Sequence, residues 1–177
     1  MNAAGIGALS LRALAAQVGT STSAVYSLFG GKPELLAALQ AEAFAQFGAA
    51  QQAVPVTGDA GTDLTALGRA YWTWARAHPD LYSVLFSGVL GELDPDGAQA
   101  AAARDTIAPL SGLVHAAVAA GAMTGEPADI TFSIWAAVHG AVSLVLADCA
   151  PEAEQRRSEL FDATAGAVVR GWLATGR

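Results

Sequence analysis

The stretch from Ser10 to Lys32, SLRALAAQVGTSTSAVYSLFGGK, leaves few options for the fold around it. Ser10 is a good helix N-cap residue. Leu11, Leu14, Ala15 and Val18 then recur at the spacing of an apolar stripe on one short helix. Gly19 follows at once and can take the left-handed conformation that ends a helix at little cost. Ser21 can cap a second helix, whose inward residues would be Val25, Leu28 and Phe29. Ala15 is small where two crossing helices must approach, Gly19 makes the turn, and Val25 locks the second helix onto the first. This is the grammar of a helix-turn-helix.

In such a pair the second helix enters the major groove of DNA. Its outward face here is Thr22, Ser23, Ala24, Tyr26 and Ser27. Hydroxyls bond phosphates or base edges, and the Ala24 methyl can meet a thymine methyl. No Arg, Asn or Gln on this face offers a bidentate base contact, so direct readout should be modest. Lys32 and Pro33 open the next helix. A proline suits a first helical turn, and the free N–H groups with Lys32 make a phosphate site. A small helical domain of another function can also hold an Ala-x3-Gly-x5-Val spacing, so the motif needs its structural context.

The run Gly19-Thr-Ser-Thr-Ser-Ala-Val-Tyr-Ser-Leu-Phe-Gly-Gly-Lys-Pro-Glu-Leu-Leu36 resembles the signature of the tetracycline-repressor (TetR) family of bacterial transcriptional regulators. Val-Tyr-x-x-Phe, then Gly-Lys and a Glu-Leu-Leu helix start, carry that likeness. A second likeness lies in Trp135-Ala-Ala-Val-His139-Gly140, which resembles the Trp-His-Gly element of one effector-domain subgroup. A third is the phrase from Ala77 to Phe86, AHPDLYSVLF, similar to a body segment of the same kind. Members of the family normally carry a full amphipathic helix before the motif. Here only Gly5-Ile-Gly-Ala-Leu9 precedes it and resembles the loop after that helix, so the head is expected to lack its first helix.

Composition sharpens the picture. Hydrophobic residues make up 53% of the 177, the mean hydropathy is +0.38, and only 14% are charged. A helical chain this apolar is expected to bury further surface against a partner chain. The net charge of −7 excludes a general nucleic-acid coating role. Its distribution is uneven, however: residues 1–33 hold Arg12 and Lys32 and no acid. A slightly basic head on an acidic body fits DNA binding with a thin electrostatic footprint. The lone Cys149 excludes an intrachain disulfide, which fits a reducing cytoplasm, and reads as a buried apolar thiol. No signal peptide is visible, and the apolar run Ile134–Ala147 is too short for a membrane span.

Along the chain the pattern is helical throughout. Pro33 to about Gln52 reads as one helix with Leu35, Leu36, Leu39, Ala43, Phe44 and Phe47 on its apolar side. Residues 53–62 are a loop. Asp63 is expected to cap a helix running to about His78, with Leu64, Leu67, Tyr71 and Trp74 on one face. A short helix covers Asp80 to Phe86, and residues 87–97 form an acidic loop with Glu92, Asp94 and Asp96, where solvated side chains are a simpler reading than a metal site. Residues 98–120 make a helix with Pro109 as a kink or restart and Gly121 as its stop. Pro127 to about Cys149 is apolar nearly all round and should be buried on both sides. Glu152 to about Ala174 is the last helix, with Leu160, Phe161, Thr164, Val168 and Trp172 inward and small residues Ala163, Gly166, Ala167 and Gly171 permitting close approach of another helix. There is no strand pattern and no internal repeat.

Catalytic and metal motifs find no support. His78, His115 and His139 fall on separate helices without a metal-ligand spacing, and there is no GxSxG or Gly-rich phosphate loop. His139 reads first as a satisfied buried histidine and second as an effector ligand. Tyr71, Trp72, Trp74, Tyr82, Phe86, Trp135 and His139 are the candidates to line an apolar pocket, chiefly because the family body contains one.

The expected fold class is all-α: a helix-turn-helix head over residues 1–36 and a helical effector-binding and dimerisation domain over residues 37–177. The resemblance implies a cytoplasmic homodimeric repressor, not an enzyme, with no cofactor, no metal and no membrane. Its last two long helices would form an intersubunit four-helix bundle. Ser21, Thr22, Ser23, Ala24, Tyr26 and Ser27 would face half-sites of an inverted-repeat, double-stranded DNA operator, with Ser10 and Lys32 on phosphates. A small apolar effector would release it. The alternative is a helical ligand-binding dimer that does not bind DNA because its head is incomplete.

Overall fold

The computed structural model describes residues 10–86, 98–151 and 153–174, without the side chains of residues 98–100. The expectations for Gly5–Leu9 and for the acids Glu92, Asp94 and Asp96 lie outside them. Eight helices are found among the described residues: α1 (Leu11–Gln17), α2 (Thr22–Phe29), α3 (Lys32–Gln52), α4 (Ala60–Ala77), α5 (Pro79–Phe86), α6 (Ala98–Ala119), α7 (Pro127–Leu146) and α8 (Glu154–Trp172). An isolated bridge between Met123 and Leu173 is the sole extended pairing among those residues. The all-α expectation holds. The chain divides into two compact units, one of residues 1–46 and 78–103, the other of residues 47–77 and 104–177.

In the first unit α1 and α2 pack on each other around Leu11, Ala15 and Val25, with Leu35 against them. Val18, Leu28 and Phe29, expected inward, are exposed, Val18 at 64% and Leu28 at 76%. Among the described residues the contact between α1 and α2 is centred on Val25, and Val18 at the end of α1 and Leu28 and Phe29 in the last turn of α2 lie outside that cluster.

In the second unit α4, α7 and α8 pack together, and α6 joins them through Leu110, Val114 and Ala117. The core is Leu64, Leu67, Leu110, Val114, Ala117, Met123, Ile130, Ile134 and Val169. Pro109 lies inside an unbroken α6, so it is not a restart. Its ring cannot donate to the carbonyl one turn back. The neighbouring carbonyl of Thr106 accepts a bond of 2.8 Å from Gln51 Nε2. The start of α4 also differs from expectation. Asp59 caps it, accepting from Thr62 N–H at 2.8 Å, and Asp63 folds back onto the preceding loop.

α7 begins at Pro127 and reaches 20 residues, long and apolar enough by length and composition to cross a membrane, where a count from Ile134 is too short. One side of it, Ile130, Ile134, Val138, Val142 and Val145, is buried in the unit. Trp135, His139, Val142 and Leu146 on another side are buried or half-buried, while Phe132, Ala136 and Leu144 on a third are exposed in the single chain. On α8, Phe161 and Val169 are buried, whereas Thr164, expected inward, is exposed with Ala163, Ala167 and Gly171. Cys149 is exposed too, since α7 stops at Leu146 and Asp148, at φ 58°, turns the chain outward.

Candidate nucleic-acid interface and effector region

The helix pair is built by local chemistry at each joint. Ser10 Oγ accepts from Ala13 N–H and Ser21 Oγ from Ala24 N–H at 3.0 Å, so both helices start on a serine cap. Gly19 sits at φ +71°, the left-handed conformation that lets α1 stop and Thr20 N–H return to Ala15 O at 2.8 Å. Val25 is buried on the α1 side. The rest of α2 is therefore presented outward: Ser23, Tyr26 and Ser27 are exposed, and Thr22 and Ala24 half-buried. All six candidate groove residues, the cap Ser21 among them, thus share one short helix and its entrance.

The start of α3 is less simple than a bare anion site. Lys32 and Pro33 occupy its first turn, and so does Glu34. The Glu34 carboxylate reaches 2.9 Å from where a Gly31 side chain would begin, so it lies over the Gly30–Gly31 turn. An acid in the first turn complements the helix dipole that a phosphate would use, and spacing alone did not reveal that competition. Ser10 is exposed and Lys32 half-buried.

The aromatic candidates divide among three environments. Tyr71 and Trp74 are buried against Phe47, with ring centroids 4.9 and 5.0 Å from it. Trp72, one residue along and so about 100° round the helix, stacks on Phe161 of α8 at 4.6 Å and carries the Arg76 guanidinium on its ring. Tyr82 and Phe86 belong to the other unit, where their rings meet at 4.7 Å. On α7, Trp135 and His139 are half-buried with their rings 5.7 Å apart.

A hydrogen-bonding contact links α4 to α7, and a second lies within α7. The Tyr71 hydroxyl and His139 Nδ1 are 3.0 Å apart, and Ser143 Oγ lies 3.4 Å from His139 Nε2. Burial lowers the His139 pKa from its ordinary value, so the ring is neutral near pH 7. The structure thus brings Tyr71, Trp135 and His139 into one neighbourhood.

Two open cavities lie elsewhere in the second unit. One of about 380 Å³ is walled by Gln51 and Gln52, the loop Val54–Val56, Asp63, Leu67 and the Ala108–Leu113 stretch of α6. Another, of about 590 Å³, runs between the start of α4 and the end of α8, from Asp59 to Arg170. None of the candidate aromatic residues lines either. The apolar loop Val54-Pro55-Val56, set between two helices, was the signal in the sequence for the first.

The comparisons with known proteins agree with this architecture. The family pattern described as "Bacterial regulatory proteins, tetR family" matches residues 1–39. The pattern described as "Tetracyclin repressor-like, C-terminal domain" matches residues 64–168. No curated protein matches the chain. Among solved structures, SCO4313, described as a regulatory protein, is 27% identical with a TM-score of 0.75, over 94% of this chain and 87% of that one. A protein of unknown function from Rhodococcus sp. RHA1 is 26% identical with a TM-score of 0.76, over 94% and 86%. The TetR family transcriptional regulator PfmR from Thermus thermophilus shares the fold, with a TM-score of 0.76 at 20% identity over 93% and 90%. With a helix-turn-helix pair at one end and the family's C-terminal pattern over most of the remainder, the chain belongs to the TetR family of DNA-binding transcriptional regulators.

Proposed function

We propose that this regulator is a homodimeric, cytoplasmic repressor that binds an inverted-repeat operator and is released by a small molecule. The division of labour is a DNA-binding head over residues 1–36 and an effector and dimerisation domain over residues 37–177, with no membrane partner. The observation that carries the reading is the doubly capped α1–α2 pair, which leaves one hydroxyl-rich helix face outward. In this account Ser21, Thr22, Ser23, Ala24, Tyr26 and Ser27 face the groove, Ser21 also capping the reading helix, and Ser10 and Lys32 hold phosphates.

Dimerisation follows from what the single chain leaves uncovered. Phe132, Ala136 and Leu144 on α7, and Ala163, Thr164, Ala167 and Gly171 on α8, are exposed on two helices that already pack together. Two such pairs make a four-helix bundle, the small residues of α8 allowing close approach. The effector region in this account is the neighbourhood of Tyr71, Trp74, Trp135 and His139, apolar with one hydrogen-bonding imidazole. An apolar effector there releases DNA only by binding the DNA-incompetent state more tightly.

The test is a titration of the purified protein with the DNA upstream of its own gene, paired with sizing in solution. Saturable binding by a dimer, competed poorly by unrelated DNA, is the expected result. A folded dimer that distinguishes no DNA would overturn the repressor reading and leave a helical ligand-binding dimer.

A further inference from the structure

We propose that the cavity between the end of α3, the start of α4 and the middle of α6 binds a small organic ammonium compound, an apolar body with one protonated amine beside Asp63. This goes beyond the apolar effector region proposed above, since it uses other residues and a different ligand chemistry. At about 380 Å³ the cavity falls within the range of small-molecule pockets.

Its walls are of two kinds. Val54, Pro55, Val56, Leu67, Ala108, Pro109 and Leu113 are apolar. The polar residues are Asp63, Gln51 and Gln52, with Gly112 adding backbone alone. Among the described residues no lysine, arginine or histidine lines the cavity, so an anionic ligand would find no countercharge from them. A cation would find a carboxylate.

Asp63 as a residue is 2% exposed. It is held in place by the Thr57 hydroxyl at 2.6 Å, Thr57 N–H at 2.8 Å and Gly58 N–H at 3.0 Å. All three donors are neutral. The described ion pairs tie Arg69 to Asp162, Arg76 to Glu154, Arg156 to Glu159 and Arg157 to Asp148. None reaches Asp63. A carboxylate has about four lone-pair directions, so these donors leave room for one more. A buried charge that is hydrogen-bonded but lacks an opposite charge gains most from a cation delivered to it. The Thr57 hydroxyl, chiefly, also holds this carboxyl below the usual carboxylate range, so it stays ionised near neutral pH.

Gln51 supports the site from the other wall. Its amide nitrogen is committed to Thr106 O at 2.8 Å, on the α6 turn that Pro109 leaves short of a donor. The bond fixes which end of the carboxamide is occupied. The amide oxygen remains the available acceptor, and an acceptor again suits an ammonium donor.

The test compares three probes of one shape, benzylamine, benzyl alcohol and benzoate, titrated calorimetrically into the whole protein at neutral pH. Benzylamine should bind about tenfold more tightly than the alcohol, the discrimination that one charge-assisted hydrogen bond supplies, and benzoate least. Asp63→Asn should erase the preference for the amine. Because Asp63 also clasps the loop, that variant can lose its fold, and then Gly112→Phe decides. A side chain at Gly112 meets nothing within 4 Å at its first atom, so the helix accepts it, and it adds bulk at a residue that lines the cavity. Loss of amine binding by helical Gly112→Phe protein supports the site. Equal binding of the three probes, no binding of the amine, or full binding by Gly112→Phe protein would overturn it. The readout is ligand heat, so it stands apart from whether the protein binds DNA.

Discussion

The Tyr71 hydroxyl and His139 Nδ1 are 3.0 Å apart, a hydrogen bond that joins α4 to α7 at a half-buried imidazole. Tyr71 is itself buried against Phe47, so the phenol has little freedom to move away from the ring it meets. Replacing Tyr71 by Phe keeps the edge-on packing and removes the hydroxyl. The expected loss is about 1 kcal/mol of unfolding free energy in a urea titration.

The same imidazole gives the fold a pH dependence. Burial lowers its pKa in the folded state, so the unfolded chain binds the proton more readily. The stability is therefore complete above the unfolded value of about 6.5 and declines as pH falls through the folded value. The melting temperature should drop on acidification from pH 7, and His139→Gln should flatten that part of the profile. An unchanged slope in the variant would remove His139 from the account.

Asp63 and Asp59 act at lower pH. Hydrogen bonds from Thr57 lower the first and those from Thr62 the second. Their contribution is present above the unfolded carboxylate value of about 3.9 and disappears as pH falls through the lower folded values. Thr57→Val, which removes the hydroxyl donor, should make the protein less stable at neutral pH and reduce the acid-driven loss below about pH 4.

Gly125 sits at φ +140° between α6 and α7, and a β-carbon there would stand 2.8 Å from Cζ3 of Trp172. The same corner is tied to the end of α8 by the bonds of Thr124 N–H to Trp172 O and Ala174 N–H to Ala122 O. Gly125→Ala must strain the backbone or push the indole aside. The expected destabilisation is about 1–3 kcal/mol, read as a lower denaturation midpoint.

The head was most legible where the chemistry is local. Ser10, Gly19 and Ser21 announce their caps and turn because a cap needs only its own side chain and an N–H three residues on. Asp63 misled because capping residues recur: Asp59, Thr62 and Asp63 all stand near the start of α4, and only the fold decides that Asp59 caps while Asp63 clasps Thr57. Leu28 and Phe29 misled for another reason. Periodicity ranks which side of α2 is apolar but says nothing of whether a packing partner covers its last turn, and among the described residues the shared cluster is centred on Val25. Trp72 and Tyr71 are adjacent in sequence and face different helices, so a list of aromatics could not specify a pocket. Cys149 follows an apolar helix, yet the turn at Asp148 puts it outside. The cavity beside Asp63 needed three segments brought together, which no single window of sequence contains.

The reading helix offers the most direct check on function. Ser21→Ala removes the cap of α2, which costs about 1 kcal/mol, and should weaken DNA binding while the second unit keeps its helicity. The decisive measurement is a titration of the protein against the DNA upstream of its gene at two salt concentrations, with Ser21→Ala alongside. The account predicts specific binding that Ser21→Ala weakens. It also predicts a shallow salt dependence, each neutralised phosphate contributing about 0.9 to the slope and residues 1–33 holding only Arg12 and Lys32 as cationic side chains. Sequence-indifferent binding, or specific binding untouched by Ser21→Ala, would contradict it.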